Sequence, residues 1–352
     1  NYVEAVTQST FAAFIGMLAS MAVLAFYLWK TGMLISILHK PSNATEINGR
    51  ALLWDTIREA IPFIITGSAI QLFQIIDQAT FIHVMGWISK YSKSELLVQF
   101  AYFSANPNKI TMILIAVATS IGGVGIPLLT ENYVKGDFRS AARLVQDNLS
   151  MLIFFILPAT IGAVLVAEPL YTVFYGKPDS LALGLFIFAM LQTIILSLYT
   201  VLAPMIQALF QNRKAIIYFL YGVGVKLVLQ VPLIYIFKAY GPLLATTVGL
   251  IIPILLMYQE IRKVTGLNPK NLFKRSLLSV ILTVLMTIFV LVAELLIGLF
   301  LHPSGRISSF VYIALIGGIG LAVYGGLALK VRLMDRFIGS KAASLRRRFH
   351  IY

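Results

Sequence analysis

One apolar stretch of the sequence, Ile61–Met85, carries an unusual set of polar side chains. Gln71, Gln74 and Gln78 are spaced to share one face of a helix, and Asp77 lies beside that face. An unpaired carboxylate is costly in apolar surroundings, so such residues are candidates for a functional site. Two interpretations are open: a hydrophilic cavity with Asp77 as its proton or cation site, or hydrogen bonds that only join helices.

A lysine lies near the middle of another long apolar stretch. The side chain of Lys226 is too short to carry its ammonium group from the centre of a span to water, so we expect it to face the interior. Gln230 follows one turn later, and Thr246 or Thr247 on the next stretch could join them. We predict that Lys226 pairs with Asp77, either as a static counter-ion or as part of a switch.

Other residues that could bind ligands are few. Lys109 follows a helix-breaking Asn-Pro pair and could attract an anionic substrate, or it could be an ordinary interfacial lysine. The chain has no cysteine, and its four histidines share no helical spacing, so we expect no metal site. It also has no Walker loop for ATP. We therefore predict no cofactor and no catalytic residues.

The elements that carry these side chains must be membrane-spanning helices. Hydrophobic residues make up 59% of the chain and charged residues 12%, against roughly 25% charged in soluble domains. Stretches of about 20 apolar residues recur, which is the length of a spanning helix and too long for barrel strands. We predict an all-α, polytopic transmembrane bundle with about nine spans. They are Thr7–Trp29, Ala60–Gly86, Ile110–Thr130, Asn148–Ala167, Leu181–Phe210, Ala215–Phe237, Pro242–Tyr258, Ser276–Leu301 and Ser308–Leu329.

The basic residues predict the orientation of these spans. If the first span runs from outside to inside, most Lys and Arg fall on inner connections and on the C-terminal tail, as positively charged loops resist translocation. The N-terminus of this chain is then external and the C-terminus cytoplasmic, and an odd number of further helices would precede it. The same bias explains the net charge of +14 without nucleic acid. It suggests anionic lipids as partners at the cytoplasmic face.

Several segments resemble the multidrug/oligosaccharidyl-lipid/polysaccharide exporter superfamily, most closely its MurJ/YtgP-like branch. They are IPFIITGSAIQLFQIIDQATF, ANPNKITMILIAVATSIGGVGIPLLTENYVKGD, VLAPMIQALFQNRKAIIYF and KLVLQVPLIYIFKAYGPLLATTVG. The resemblance implies fourteen helices in two six-helix lobes plus two extra helices, with this chain beginning at the sixth. It then divides into the last helix of the first lobe (1–30), a cytoplasmic linker with an amphipathic segment (31–59), the second lobe (60–262), the two extra helices (263–332) and a basic tail (333–352).

The function implied by the resemblance is a flippase for an undecaprenyl-pyrophosphate-linked saccharide, the peptidoglycan precursor lipid II. It would work by alternating access without covalent chemistry, with the lipid tail at the two extra helices and cell-wall synthesis proteins as further partners. The resemblance also implies a monovalent cation among the helices that hold Asp77, Gln230 and Thr246, where Lys226 would supply a tethered charge instead. Three alternatives stay open: a Wzx-like polysaccharide-unit flippase, a cation-coupled multidrug exporter that uses Asp77, and a membrane enzyme acting on lipid-linked sugars.

Overall fold

The computed structural model describes residues 2–33, 48–299, 303, 305–335 and 339–348, and every regular element within them is helical. The prediction of an all-α bundle is therefore confirmed. A 3₁₀ turn, Lys238–Tyr240, joins two of the α-helices. The α-helices are α1 (Tyr2–Lys30), α2 (Gly49–Gly67), α3 (Ala69–Ile88), α4 (Lys93–Phe103), α5 (Ala105–Val134), α6 (Phe138–Leu165), α7 (Ala167–Tyr175), α8 (Ser180–Ala208), α9 (Asn212–Phe237), α10 (Gly241–Thr265), α11 (Pro269–Gly298), α12 (Arg306–Lys330) and α13 (Ser340–Arg348).

The chain forms two compact units, Asn1–Arg58 and Glu59–Tyr352. In the first unit, α1 is a long apolar helix with an acidic residue in its first turn and Lys30 in its last, which complements the helix dipole at both ends. About half of the predicted linker, residues 34–47, lies outside the described residues, and its end forms the start of α2. The end of the predicted span Ser276–Leu301 and parts of the predicted tail also lie outside the described residues.

Among the described residues, six helical stretches are long and apolar enough to cross a membrane, or seven if the bent pair α2–α3 is one span. The predicted number was nine, and the difference has two sources. The stretch Asn212–Thr265 counts once, although it holds both α9 and α10, which pack against each other on either side of the 3₁₀ turn. The apolar part of α1, Phe14–Lys30, is too short to count.

The second unit is organised around α8. This helix is apolar all round, and its buried residues run from Ala182 to Ala208, so it packs against α5, α6, α7 and α10. The helices α11 and α12 are equally apolar but present many side chains outward, with Leu295 74% and Leu321 79% exposed. Such surfaces are stable in lipid, where apolar side chains need no protein cover.

The helices α9 and α10 approach each other closely because glycines face each other across them. A Cβ atom added to Gly222 would lie 2.4 Å from the carbonyl oxygen of Gly249, and one added to Gly249 would lie 3.0 Å from that of Gly222. Lipid tails supply no hydrophobic force between helices, so close backbone packing is a main source of stability here. This contact brings the middle of α9 against α10.

The chain bends by 55° at the break between α2 and α3. Pro62 cannot donate a backbone hydrogen bond, which weakens the helix shortly before the break. Two side chains of α8 bind carbonyl and hydroxyl groups of this segment. The Gln207 amide donates to the carbonyl of Pro62 at 3.1 Å and to the hydroxyl of Thr66 at 2.6 Å, and the Tyr199 hydroxyl donates to the carbonyl of Thr66 at 3.1 Å. The bend is thus fixed by tertiary contacts.

The glycine contact between α9 and α10 predicts a specific loss of stability. Gly222→Ala forces the two backbones apart and should cost about 1–3 kcal/mol, as overpacking does in cores. The matched control is Gly224→Ala, since a Cβ atom there meets nothing within 4 Å. Thermal unfolding of the purified protein in detergent measures both, and equal melting temperatures for the two variants would contradict the packing argument.

Candidate functional site

The candidate site begins on α3, where one face of the helix points into the bundle. Phe73, Asp77 and Phe81 follow each other at intervals of four residues, and all three are buried. They share this face because residues four apart lie above one another on a helix. Asp77 therefore lies between Phe73 and Phe81 on the face of α3 that packs against α9 and α10.

The ion pair predicted between Lys226 and Asp77 is present. The Lys226 ammonium lies 2.8 Å from Asp77 Oδ1 and also donates to the Thr246 hydroxyl at 2.5 Å. Its third neighbour is the ring of Phe73, whose centroid is 4.8 Å away, within the range of a cation–π contact. Because Lys226 is 0% exposed, these partners replace its water completely.

Gln230 extends this pair into a network. Its amide nitrogen donates to Asp77 Oδ1 at 2.8 Å and to the Thr80 hydroxyl at 3.0 Å, while its side-chain oxygen is buried without a donor among the described residues. The network joins α3 to α9 through a single carboxylate oxygen, and the Lys226 ammonium group extends it to Thr246 of α10. A buried charge is tolerated only when it is paired and hydrogen-bonded, and here both conditions are met.

Asp77 and Thr246 also line a cavity of about 60 Å³, which has room for a few water molecules. Gln74 faces it from α3, Asn108 and Thr111 from α5, and Gln192 from α8. We call this space the polar cavity. Among the residues predicted for such a cavity, it contains Asp77, Gln74 and Thr246. Gln71 and Gln78 are exposed and lie outside its lining, so their role remains a prediction.

Lys109 does not reach the polar cavity, although its neighbour Asn108 does. Its ammonium group lies 5.1 Å from the centroid of the Tyr175 ring on α7, on the other side of α5. The helix turns Lys109 away because consecutive residues point about 100° apart around the axis. The proposed attraction of an anionic substrate by Lys109 would therefore act beside α7 and not at Asp77.

Two buried amides of α8 contribute structure that the motif analysis missed. Gln192 donates to the carbonyl of Leu243 at 2.7 Å and to the hydroxyl of Thr247 at 2.9 Å, which ties α8 to the start of α10. Gln207 fixes the bend before α3, as described above. Both lie in a stretch that is otherwise apolar, and the cost of burying an amide there was a signal available in the sequence.

The fold and site define a class of protein: a polytopic helical membrane protein with a polar cavity and a buried ion pair inside an apolar bundle. Proteins that move polar solutes through membranes place ionisable residues in this way. A model of the lipid II flippase MurJ family matches residues 1–315. The chain belongs to this family, and the resemblance found in the sequence is confirmed.

Individual relatives agree with the family assignment. The chain is 28% identical over 345 residues to the lipid II flippase MurJ of Bacillus subtilis (strain 168), covering 96% of this chain and 63% of that protein. A solved structure described as lipid II flippase MurJ in an inward closed conformation superimposes with a TM-score of 0.56 at 17% identity, covering 83% of this chain and 57% of that one. The chain thus spans less than two thirds of the length of either protein.

The geometry of the ion pair predicts how its variants differ in stability. Lys226→Met alone leaves a buried, unpaired carboxylate and should cost about 3–5 kcal/mol. The double variant Asp77→Asn with Lys226→Met removes both charges and should recover most of that loss. Unfolding of each variant in detergent measures these differences.

A second ion pair, which joins α9 to α10 near the surface, supplies the control. Lys214 donates to Glu260 Oε1 at 2.6 Å, but the Lys214 side chain is 44% exposed. Its partner Glu260 is only 9% exposed but keeps a hydrogen bond from the Tyr218 hydroxyl at 3.3 Å, so Lys214→Met should cost clearly less stability than Lys226→Met. The argument from burial is contradicted if Lys214→Met loses as much stability as Lys226→Met. It is also contradicted if the double variant is no more stable than Lys226→Met alone.

Proposed function

We propose that this chain forms the larger part of a flippase that moves an undecaprenyl-pyrophosphate-linked saccharide, lipid II, across the cytoplasmic membrane by alternating access. The observation that carries the proposal is the network of Asp77, Lys226 and Thr246, which joins three helices beside a polar cavity in a chain of the MurJ family. A head group of sugars and phosphates needs a hydrated path, whereas its lipid tail can remain in the bilayer.

The ion pair is suited to a mechanical role in this cycle. It holds α3 against α9 and α10, so any movement of α3 away from these helices must break the pair or carry the helices along. Separating a buried pair of this kind without new partners costs several kcal/mol. The helices are therefore more stable in two discrete arrangements than in positions between them. We infer that the pair is a switch between conformations and not only a static counter-ion.

The same geometry argues against the cation-coupled multidrug exporter. That mechanism needs a free acid, whereas Asp77 Oδ1 already accepts hydrogen bonds from Lys226 and Gln230. A tethered ammonium group occupies the place that a bound cation would take. The membrane enzyme is disfavoured because the polar cavity offers Asp77 as its only acidic group and no histidine among its lining residues.

We also propose the orientation predicted from the charges. The connections α5–α6, α8–α9 and α10–α11 emerge at one end of the bundle, and many lysines and arginines lie in them or in the adjoining helix ends, among them Lys135, Arg139, Arg213 and Lys263. This end is cytoplasmic under the positive-inside rule. Its charge fits the predicted contact with anionic lipids, and contact with cell-wall synthesis proteins remains a prediction. We further propose that the chain carries out no covalent chemistry of its own.

Complementation tests the flippase and the switch together. The full-length protein should restore externalisation of lipid II in a strain depleted of its own flippase, measured as lipid-linked precursor in the outer leaflet. The double variant Asp77→Asn with Lys226→Met should be present at normal level and melt close to the unmodified protein, yet lose most transport. Lys214→Met should transport normally.

Each other outcome rejects a defined part of the proposal. A full-length protein that restores nothing carries another substrate. A double variant that transports at the normal rate shows that the pair is a static counter-ion arrangement, while the flippase assignment stands.

A further inference from the structure

A second pocket, separate from the polar cavity, opens at the opposite end of the bundle from the basic connections. It has a volume of about 620 Å³ and lies between the α3–α4 loop and the turn from α9 to α10. The loop contributes Lys90 and Tyr91, and the turn contributes Phe237, Lys238 and Tyr240. We call it the turn pocket. In the proposed orientation it faces the outside of the cell.

An apolar layer separates the two spaces. Phe81, Phe103 and Ile234 lie in one buried cluster, with the rings of Phe81 and Phe103 in edge-to-face contact at 4.9 Å. Other members of this cluster line the spaces on either side: Leu243 faces the polar cavity and Met85 faces the turn pocket. The turn pocket is therefore a site of its own and not the mouth of the polar cavity.

The walls of the turn pocket are pre-formed. The start of α4 is fixed by a capping box, in which the Ser92 hydroxyl accepts from the Glu95 backbone and the Glu95 carboxylate accepts from the Ser92 backbone at 2.7 Å. The turn is fixed by Tyr240, whose hydroxyl lies so close to Gly184 of α8 that a Cβ atom there would meet it at 2.1 Å. A rigid pocket loses little entropy on binding.

The chemistry of the lining favours an acidic saccharide. Lys90 and Lys238 bring two ammonium groups, neither of which has an ion-pair partner among the described residues. Gln99 brings an amide suited to sugar hydroxyls, and Tyr91 brings an exposed aromatic ring. The Glu95 carboxylate already accepts from the Ser92 backbone and hydroxyl, and with it the two lysines leave the lining a net charge of +1. Cations, amides and aromatic faces together match a ligand that has both acidic groups and sugar rings better than they match a lone phosphate.

The backbone of Lys238 gives an independent indication. It has φ 53° and ψ −123°, a conformation that costs a non-glycine residue free energy and is concentrated at functional sites. Glycine would adopt it without strain. A lysine thus occupies this position at the rim of the pocket, although a glycine there would be free of strain.

We propose that the turn pocket binds the acidic saccharide head group of the transported lipid after it has passed the apolar layer, as an exit site. This inference rests on the proposed function. The pocket and the buried network share their helices: Met85 lies eight residues after Asp77 on α3, roughly 12 Å along the axis. A head group held between Lys90 and Lys238 would bridge the ends of the same helices that the network joins.

Equilibrium binding to the full-length protein in neutral-lipid nanodiscs tests the exit site without transport. The probes are muramyl dipeptide, an acidic saccharide, chitobiose, a neutral one, and inorganic phosphate. We expect muramyl dipeptide to bind at least about tenfold more tightly than the other two, and the double variant Lys90→Gln with Lys238→Asn to lose about tenfold in its affinity. Asparagine is chosen because it tolerates positive φ.

The control variant is Lys93→Gln, an exposed lysine three residues from Lys90 that does not line the pocket. Its affinity should equal that of the unmodified protein. The proposal is overturned if Lys93→Gln loses as much as the double variant, if the double variant binds normally, if phosphate binds as tightly as muramyl dipeptide, or if nanodiscs with phosphatidylglycerol abolish binding by competition. Failure of lipid II externalisation with normal muramyl dipeptide binding would reject the proposed function and leave a saccharide site.

Discussion

A lysine ammonium without water contact is the constraint on which this structure depends most. Its desolvation is far too costly to be carried by one neighbour, so Lys226 needs Asp77, Thr246 and the ring of Phe73 at once. These partners come from α3 and α10, while Lys226 lies on α9. The three helices must therefore meet at one depth, and the polar cavity opens where they do.

The close contact of α9 and α10 makes this meeting possible. Gly222 and Gly249 allow the two backbones to touch, and Lys226 lies one turn beyond Gly222. The position of α3 opposite α9 and α10 depends on the bend between α2 and α3, which Gln207 and Tyr199 stabilise from α8. Close packing and hydrogen bonding thus replace the hydrophobic effect, which is weak between helices in lipid.

Two spaces of different character lie along the same helices. The polar cavity is small and has a carboxylate as its only charged lining group, whereas the turn pocket is larger and has two ammonium groups and one carboxylate in its lining. The buried apolar layer around Phe81 and Phe103 lies between them. For a carrier that alternates between two openings, such a layer is the barrier that prevents leakage, and the binding surfaces on either side of it can be occupied in turn.

The sequence by itself determined the helical class, the membrane environment and the pairing of Lys226 with Asp77. Each follows from a large energetic penalty: a chain with so little charge cannot be soluble, and a buried ammonium group must find an acid. Asp77 is also an acid that its apolar stretch places at a depth in the membrane comparable to that of Lys226. Family membership could be read as well, because it is spread over several segments.

Only the tertiary structure decided which amides face which space. The spacing of Gln71, Gln74 and Gln78 placed them on one helix face, but only Gln74 lines the polar cavity, because the neighbours of α3 set how the helix is rotated. Lys109 points to Tyr175 for the same reason. The two cavities, the bend held by Gln207 and the turn at Lys238 depend on contacts between distant residues. Local periodicity contains no information on such contacts.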